Sequence, residues 1–101
     1  LNLSGFAVGA VGSISTITNV TPALFVALRD AVVAGDTRQA HELQARASRA
    51  AAALRTPIIG ALHYAAGRLG LPAGAPRQPL RLPDATERAR IDAVLVEEKL
   101  V

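Results

Sequence analysis

The chain has 101 residues, half of them hydrophobic, and a formal net charge of +3. That length bounds it to one small domain at most, and the apolar content excludes general disorder. The absence of cysteine excludes a disulfide framework and a thiolate metal site.

The apolar residues are mostly Ala, Leu and Val, and Phe6, Phe25 and Tyr64 are the only aromatic ones. Side chains this small bury little area each, a composition that suits helices docked on something larger. Ten arginines and one lysine are spread along helical segments and matched by acids, so they form no basic stripe with stacking platforms, and nucleic-acid binding is not indicated. The opening Leu1–Gly9 has no basic n-region and no initiator Met, so it does not read as a signal peptide, and no apolar run approaches the ~20 residues of a membrane span. A soluble, cytoplasmic protein is the expectation.

In chain order, residues 1–8 read as the end of a helix stopped by Gly9. Val11-Gly-Ser-Ile-Ser-Thr-Ile17 is the only stretch that reads as a β-strand. A lone strand has no ladder, and burying its polar groups unpaired costs about 1–3 kcal/mol each. Small, apolar and hydroxyl residues on both faces suit the inside of a sheet that the remaining residues cannot supply. The chain therefore reads as the tail end of a larger domain.

Asn19-Val-Thr-Pro22 leads into a helix, with Thr21 as N-cap and Pro22 at the first helical position. Leu24, Phe25, Leu28 and Val32 give it one apolar stripe to about Ala34, and Gly35 stops it. Asp36-Thr-Arg-Gln39 is a capping box for an Ala-rich helix to about Arg55, with Ala40, Leu43, Ala47, Ala50 and Leu54 inward and a Glu42–Arg46 pair outside. Thr56-Pro57 repeats the cap-plus-proline start for a helix to about Leu69, with Ile58, Leu62, Ala65, Ala66 and Leu69 inward and Gly70 as its stop. Pro72, Pro76, Pro79 and Pro83 then punctuate an extended connection that Leu71, Leu80 and Leu82 are expected to anchor. Asp84-Ala-Thr-Glu87 is a second capping box, opening a last helix from about Ala85 to Lys99 that presents Ile91, Val94 and Leu95. A strand feeding a helix, with further helices after it, is the order of the last unit of a β/α fold.

The run Gly9-Ala-Val-Gly12-Ser-Ile14-Ser15-Thr-Ile-Thr-Asn19-Val-Thr-Pro22 resembles the eighth strand and following loop of the dihydrodipicolinate synthase / N-acetylneuraminate lyase family, which typically reads Gly-Ala-x-Gly-x-Ile-Ser, then Asn and often Pro. Ala31-x-x-Ala34-Gly35-Asp36, followed by Ala40-x-x-Leu43-Gln44, is similar to its Gly-Asp-x-x-x-Ala helix junction. Pro57 to Leu69, Gly70-Leu71-Pro72 and Arg77-Gln78-Pro79-Leu80 resemble its closing helix and its Arg-x-Pro-Leu segment. No single motif is diagnostic, but the likeness covers nearly the whole chain in order and at the right spacings.

The resemblance implies an α/β fold: the C-terminal part of a (β/α)8 TIM barrel, mostly helical in this chain. Residues 1–35 would be the last strand–helix unit (strand 8 and helix 8), and residues 36–101 a three-helix C-terminal extension. It implies a class I aldolase or lyase that forms a Schiff base between a lysine and a 2-oxo acid such as pyruvate, with no other cofactor, no metal and a homotetrameric or dimeric assembly. The substrate expectation leans to 4-hydroxy-tetrahydrodipicolinate synthase, which condenses pyruvate with aspartate semialdehyde. N-acetylneuraminate lyase and 2-keto-3-deoxy sugar acid aldolases or dehydratases are the alternatives within the family.

By the same resemblance, the Schiff-base lysine, the proton-relay Tyr and a Thr pair lie upstream, so no catalytic residue is expected in this segment and the 101 residues alone should be inactive. Lys99 lies near the chain end beside Glu97 and Glu98, a place unsuited to an activated amine. Ile14, Ser15 and Thr16 match pocket-lining positions of strand eight: the Ile14 carbonyl near the reactive lysine, Ser15 or Thr16 bonding a substrate hydroxyl or carboxylate. The plainer reading makes them interior packing. Asn19 is a possible pocket rim, or else a brace of the loop. Gly9 and Gly12 read as turn and close-packing residues. His63 reads as structural, although some neuraminate-lyase-like members share its Leu-His-Tyr context. His41 reads as solvated, and Arg77 and Arg81 as salt-bridge partners fixing the proline-rich strap. A reading of another class, a non-catalytic helical interaction module, accounts for the length but not for the strand.

Overall fold

The computed structural model describes residues 2–101; Leu1, the first residue of the expected opening helix, lies outside them. Five helices follow one another: α1 (Asn2–Ala7), α2 (Pro22–Val33), α3 (Thr37–Ala53), α4 (Ile58–Arg68) and α5 (Ala85–Glu97), with a 3-10 turn at Thr16–Asn19. The chain divides into two compact units, Leu1–Ser48 and Arg49–Val101.

In the first unit, α1 and the 3-10 turn pack on α2. The buried apolar residues are Ile17, Val20, Leu24, Phe25, Leu28 and Ala31, with Ala40, Leu43 and Ala47 of α3. The Leu3 amide, one of the unpaired donors of the first turn of α1, donates to Gln44 Oε1 at 2.8 Å. Asp36 Oδ1 accepts the Gln39 amide at 2.9 Å and opens α3. Thr21 stands at the N-cap of α2, but its hydroxyl does not cap. It is 1% exposed and donates instead to the Ile17 carbonyl at 3.0 Å. Proline at the first position has already removed one donor, and a buried hydroxyl takes the acceptor within reach.

The expected strand Val11–Ile17 is not formed. No β-strand occurs among the described residues, residues 10–15 are irregular, and the chain then tightens into the 3-10 turn. Without a ladder partner, the hydroxyls settle the backbone locally. Ser15 Oγ, at the N-cap, accepts the Ile17 amide, and Thr18 Oγ1 donates to the Ser15 carbonyl.

In the second unit, α4 and α5 pack against each other over Leu54, Ala61, Leu62, Ala65, Ile91, Val94 and Leu95. The N-cap of α4 is Pro57 rather than Thr56, and the Thr56–Pro57 and Gln78–Pro79 peptides are cis. Ile58, expected inward, is 40% exposed. It occupies the first residue of α4, and the buried stripe begins at Gly60. The capping box of α5 is complete: Asp84 Oδ1 accepts the Glu87 amide and Glu87 Oε2 the Asp84 amide, each at 2.8 Å.

Arg90 donates to the Ala53 carbonyl at 3.2 Å and the Thr56 carbonyl at 2.9 Å, satisfying acceptors at and beyond the end of α3. Asp92 accepts from the Tyr64 hydroxyl at 2.8 Å and from Arg68 at 2.9 Å, while the Arg88 guanidinium lies 5.5 Å from the Tyr64 ring centre. Burial first, and then the Asp92 carboxylate, push the Tyr64 phenol above its ordinary value. The carboxylate of Glu98 is buried and held by Arg49 Nε at 2.7 Å. Three helices, α2, α4 and α5, end in the same paired-amide motif. Gly35 and Gly70 supply the left-handed residue in the first two, whereas Lys99 takes that conformation at φ 56 in the third.

The strap from Leu71 to Pro83 is not anchored by leucines as expected: Leu71, Leu80 and Leu82 are 53%, 47% and 37% exposed. Its backbone sits instead on Gly60, where an added Cβ would lie 1.9 Å from the Arg81 carbonyl oxygen. Pro83 is fully buried, and Arg81 grips Glu87 with two bonds of 2.6 and 2.7 Å. A side chain at position 60 has no room while the strap is seated, so Gly60→Ala is expected to cost about 2–3 kcal/mol in urea unfolding. The hydrogen bonds from Arg81, and then the Asp84 amide, hold the Glu87 carboxyl down to about 2, from an ordinary 4.5. Because the folded value is the lower one, this contribution to stability is complete above pH 4.5 and is lost as the pH falls towards 2. Melting curves across that window should show a smaller acid-side fall in Tm for Arg81→Ala than for the unmodified protein.

Candidate functional site

The residues implied as pocket-lining all lie in the loop before α2 and in its 3-10 turn. Val11 and Ile14 are 92% and 107% exposed, so both apolar side chains stand in solvent. The amides of Val11, Gly12, Ser13 and Ile14 donate to no backbone carbonyl among the described residues. Four consecutive exposed residues thus have amides open to solvent.

Ser15 is half-buried, and its hydroxyl is engaged with the backbone of the turn. Thr16 is exposed, and its carbonyl accepts from Asn19 Nδ2 at 2.9 Å. Asn19, itself exposed, therefore braces the turn from within. The structure brings Ser15, Thr16 and Asn19 together in one turn, with Ile14 projecting just before it.

A depression of about 240 Å³ lies beside this loop. Val11, Gly12, Ser13 and Thr18 line it from the loop and turn; Pro22, Phe25, Val26 and Arg29 line it from α2. Ile14, Ser15, Thr16 and Asn19 are not among its lining residues. Sequence reasoning passed over Arg29, the one charged side chain of the depression; its signal was its place one helical turn after Phe25 on a helix otherwise apolar at that end. Arg29 pairs with Asp30 Oδ1 at 2.7 Å, with both side chains about half exposed. A second hollow of about 210 Å³ is lined by Leu3, Ala7, Val32, Gly35, Thr37, Ala40 and His41.

Lys99 is exposed at the turn after α5. Among the described residues no group of three His, Asp or Glu side chains could hold a metal ion. No helix is long and apolar enough to cross a membrane. Arg81 makes its ion pair within the second unit, to Glu87, and Arg77 is exposed on the strap.

Residues 1–98 match the model of the Dihydrodipicolinate synthetase family. The chain is 43% identical over 97 residues to 4-hydroxy-tetrahydrodipicolinate synthase 1 of Streptomyces coelicolor, covering 91% of this chain and 31% of that protein. It is 39% identical over 90 residues to the N-acetylneuraminate lyase of Rhizobium meliloti, covering 88% of this chain and 30% of that protein. It is 36% identical over 94 residues to 4-hydroxy-tetrahydrodipicolinate synthase of Hyphomonas neptunium, covering 92% and 32%. The chain thus spans about a third of the length of the curated relatives it matches. No solved structure matches it significantly. A match over residues 1–98 leaves one conclusion: the chain belongs to the dihydrodipicolinate synthetase family.

Proposed function

We propose that this chain is the C-terminal segment of a Schiff-base-forming lyase acting on pyruvate or a related 2-oxo acid. Residues 1–35 complete a (β/α)8 barrel as its eighth strand and helix, and residues 36–101 form the helical extension. The observation that carries this reading is the match of residues 1–98 to the Dihydrodipicolinate synthetase family, and the open amides and exposed side chains of Val11 and Ile14 leave that stretch free to enter a sheet. In such a sheet, the Ile14 carbonyl faces the reactive lysine of an upstream strand, Ser15 and Thr16 offer hydroxyls to the carboxylate or hydroxyl of the substrate, and Asn19 stands at the rim.

The chemistry needs no metal. The upstream lysine amine adds to the keto carbon and loses water; in cleavage the iminium takes up the electron pair of the broken carbon–carbon bond as an enamine, and in condensation loss of a proton from the adjacent carbon gives the enamine, which donates its pair to the aldehyde carbon. The 43% identity to a 4-hydroxy-tetrahydrodipicolinate synthase favours condensation of pyruvate with aspartate semialdehyde. A second reading, cleavage of N-acetylneuraminate, is favoured by the 39% identity to a lyase of that name. A cytoplasmic homo-oligomer, tetrameric or dimeric, is the assembly that goes with either.

Incubating the intact protein with pyruvate and borohydride should trap a covalent adduct on a lysine other than Lys99, and Lys99→Ala should trap as well as the unmodified protein; an adduct confined to Lys99, or none, overturns the assignment. Consumption of aspartate semialdehyde against release of pyruvate from N-acetylneuraminate separates the two substrates. Ser15→Ala and Thr16→Val should each raise the KM for the 2-oxo acid, by about tenfold where the hydroxyl makes a substrate hydrogen bond worth about 1.4 kcal/mol. Unchanged KM in both variants returns the two residues to packing.

A further inference from the structure

Beyond Leu71, whose amide closes the end of α4 on the Ala66 carbonyl at 2.9 Å, the strap to Pro83 is fastened at two places of different chemistry, and neither is used by the reaction above. Near its start, His63 Nδ1 on α4 lies 3.0 Å from the Ala73 carbonyl oxygen and 3.1 Å from that of Gly74. Carbonyl oxygens only accept, so Nδ1 carries the proton, and in the neutral ring Nε2 is left as the bare nitrogen. The turn that brings two consecutive carbonyls onto one donor passes through Gly74 at φ +65, a conformation other residues resist.

The far end is held in several ways at once. Arg81 binds Glu87 with two bonds and the Leu82 carbonyl with a third, Arg88 donates to the Pro83 carbonyl at 2.9 Å, Pro83 is buried, and the backbone fills the gap left by Gly60. Between the two fastenings, the described hydrogen bonding of residues 75–80 is a single turn closed on itself, from the Leu80 amide to the Arg77 carbonyl. Every residue there is exposed except Pro76, which is half-buried.

We propose that the strap is a latch, released at His63 and hinged at Arg81–Pro83. One shared donor sets the closed state of its first half, and loss of that donor frees residues 72–80 together while the Leu71 amide stays on the Ala66 carbonyl and the hinge stays seated. His63 is a positioning residue in this device.

Arg77 lies inside the releasable half and provides a trypsin site, whereas Arg81 and Arg88 lie at or beyond the hinge. In the intact protein, His63→Phe keeps a ring of similar size and removes the donor, and His63→Gln restores an amide donor. Cleavage after Arg77 should become at least tenfold faster in His63→Phe, with cleavage after Arg81 and Arg88 unchanged, and should return towards the unmodified rate in His63→Gln. In the unmodified protein, 15N chemical shifts of the His63 ring should show the proton on Nδ1. An unchanged Arg77 rate, equal acceleration at all three sites, or a proton on Nε2 in the neutral ring would each overturn the latch.

Discussion

Backbone amides and carbonyls removed from water need partners, and in this chain almost every helix end supplies its own. The Asp84–Glu87 box closes the start of α5, Asp36 opens α3, Gln44 reaches the first turn of α1, and Arg90 covers carbonyls at the end of α3. The open backbone lies in the connections: the amides of Val11–Ile14, like those of Gly74, Ala75, Arg77 and Gln78 in the strap, meet no backbone acceptor among the described residues. Val11–Ile14 are exposed, so water can take up their amides without a protein partner. The family match covers about a third of each relative's length.

Close approach in the second unit is bought with the absence of a side chain. Gly60 gives the strap backbone a seat at a distance no Cβ permits, and this, rather than leucine burial, fixes where the proline-rich segment crosses α4. The small residues of the buried stripe, Ala61 and Ala65, serve the same end, since thin side chains let α5 bring Ile91 and Leu95 into full burial. An Ala-rich composition therefore reflects tight helix contacts as well as a modest core.

The arginine excess is largely structural. Arg49 holds the Glu98 carboxylate, Arg68 meets Asp92, Arg81 clamps Glu87, Arg88 covers the Tyr64 ring, and Arg90 takes up loose carbonyls. A planar fork of donors suits each of these tasks better than an ammonium would. The pairs at the surface contribute little individually, and their weight lies in orientation: they fix the strap and the ends of helices whose apolar contacts leave rotation free.

The helices, their order and most of their ends were legible in the residues, because periodicity, capping boxes and glycine stops act within a few positions of where they are written. Ala40, Leu43, Ala47, Ala50 and Leu54 could be named as an inner face on spacing alone, and all five are buried. The strand was legible only as a need. Val11–Ile17 carries the composition of a barrel strand, but strand geometry is a property of a pair, and with no second strand among the described residues the same peptide ends in a 3-10 turn closed by Ser15 and Thr18. What only the tertiary structure decided were the contacts between segments distant in sequence: Gly60 beneath Arg81, His63 beneath Ala73 and Gly74, and Thr21 turned from cap to buried donor. Local pattern sets which residues can form an element, whereas the space and the acceptors around a side chain exist only once the elements have met.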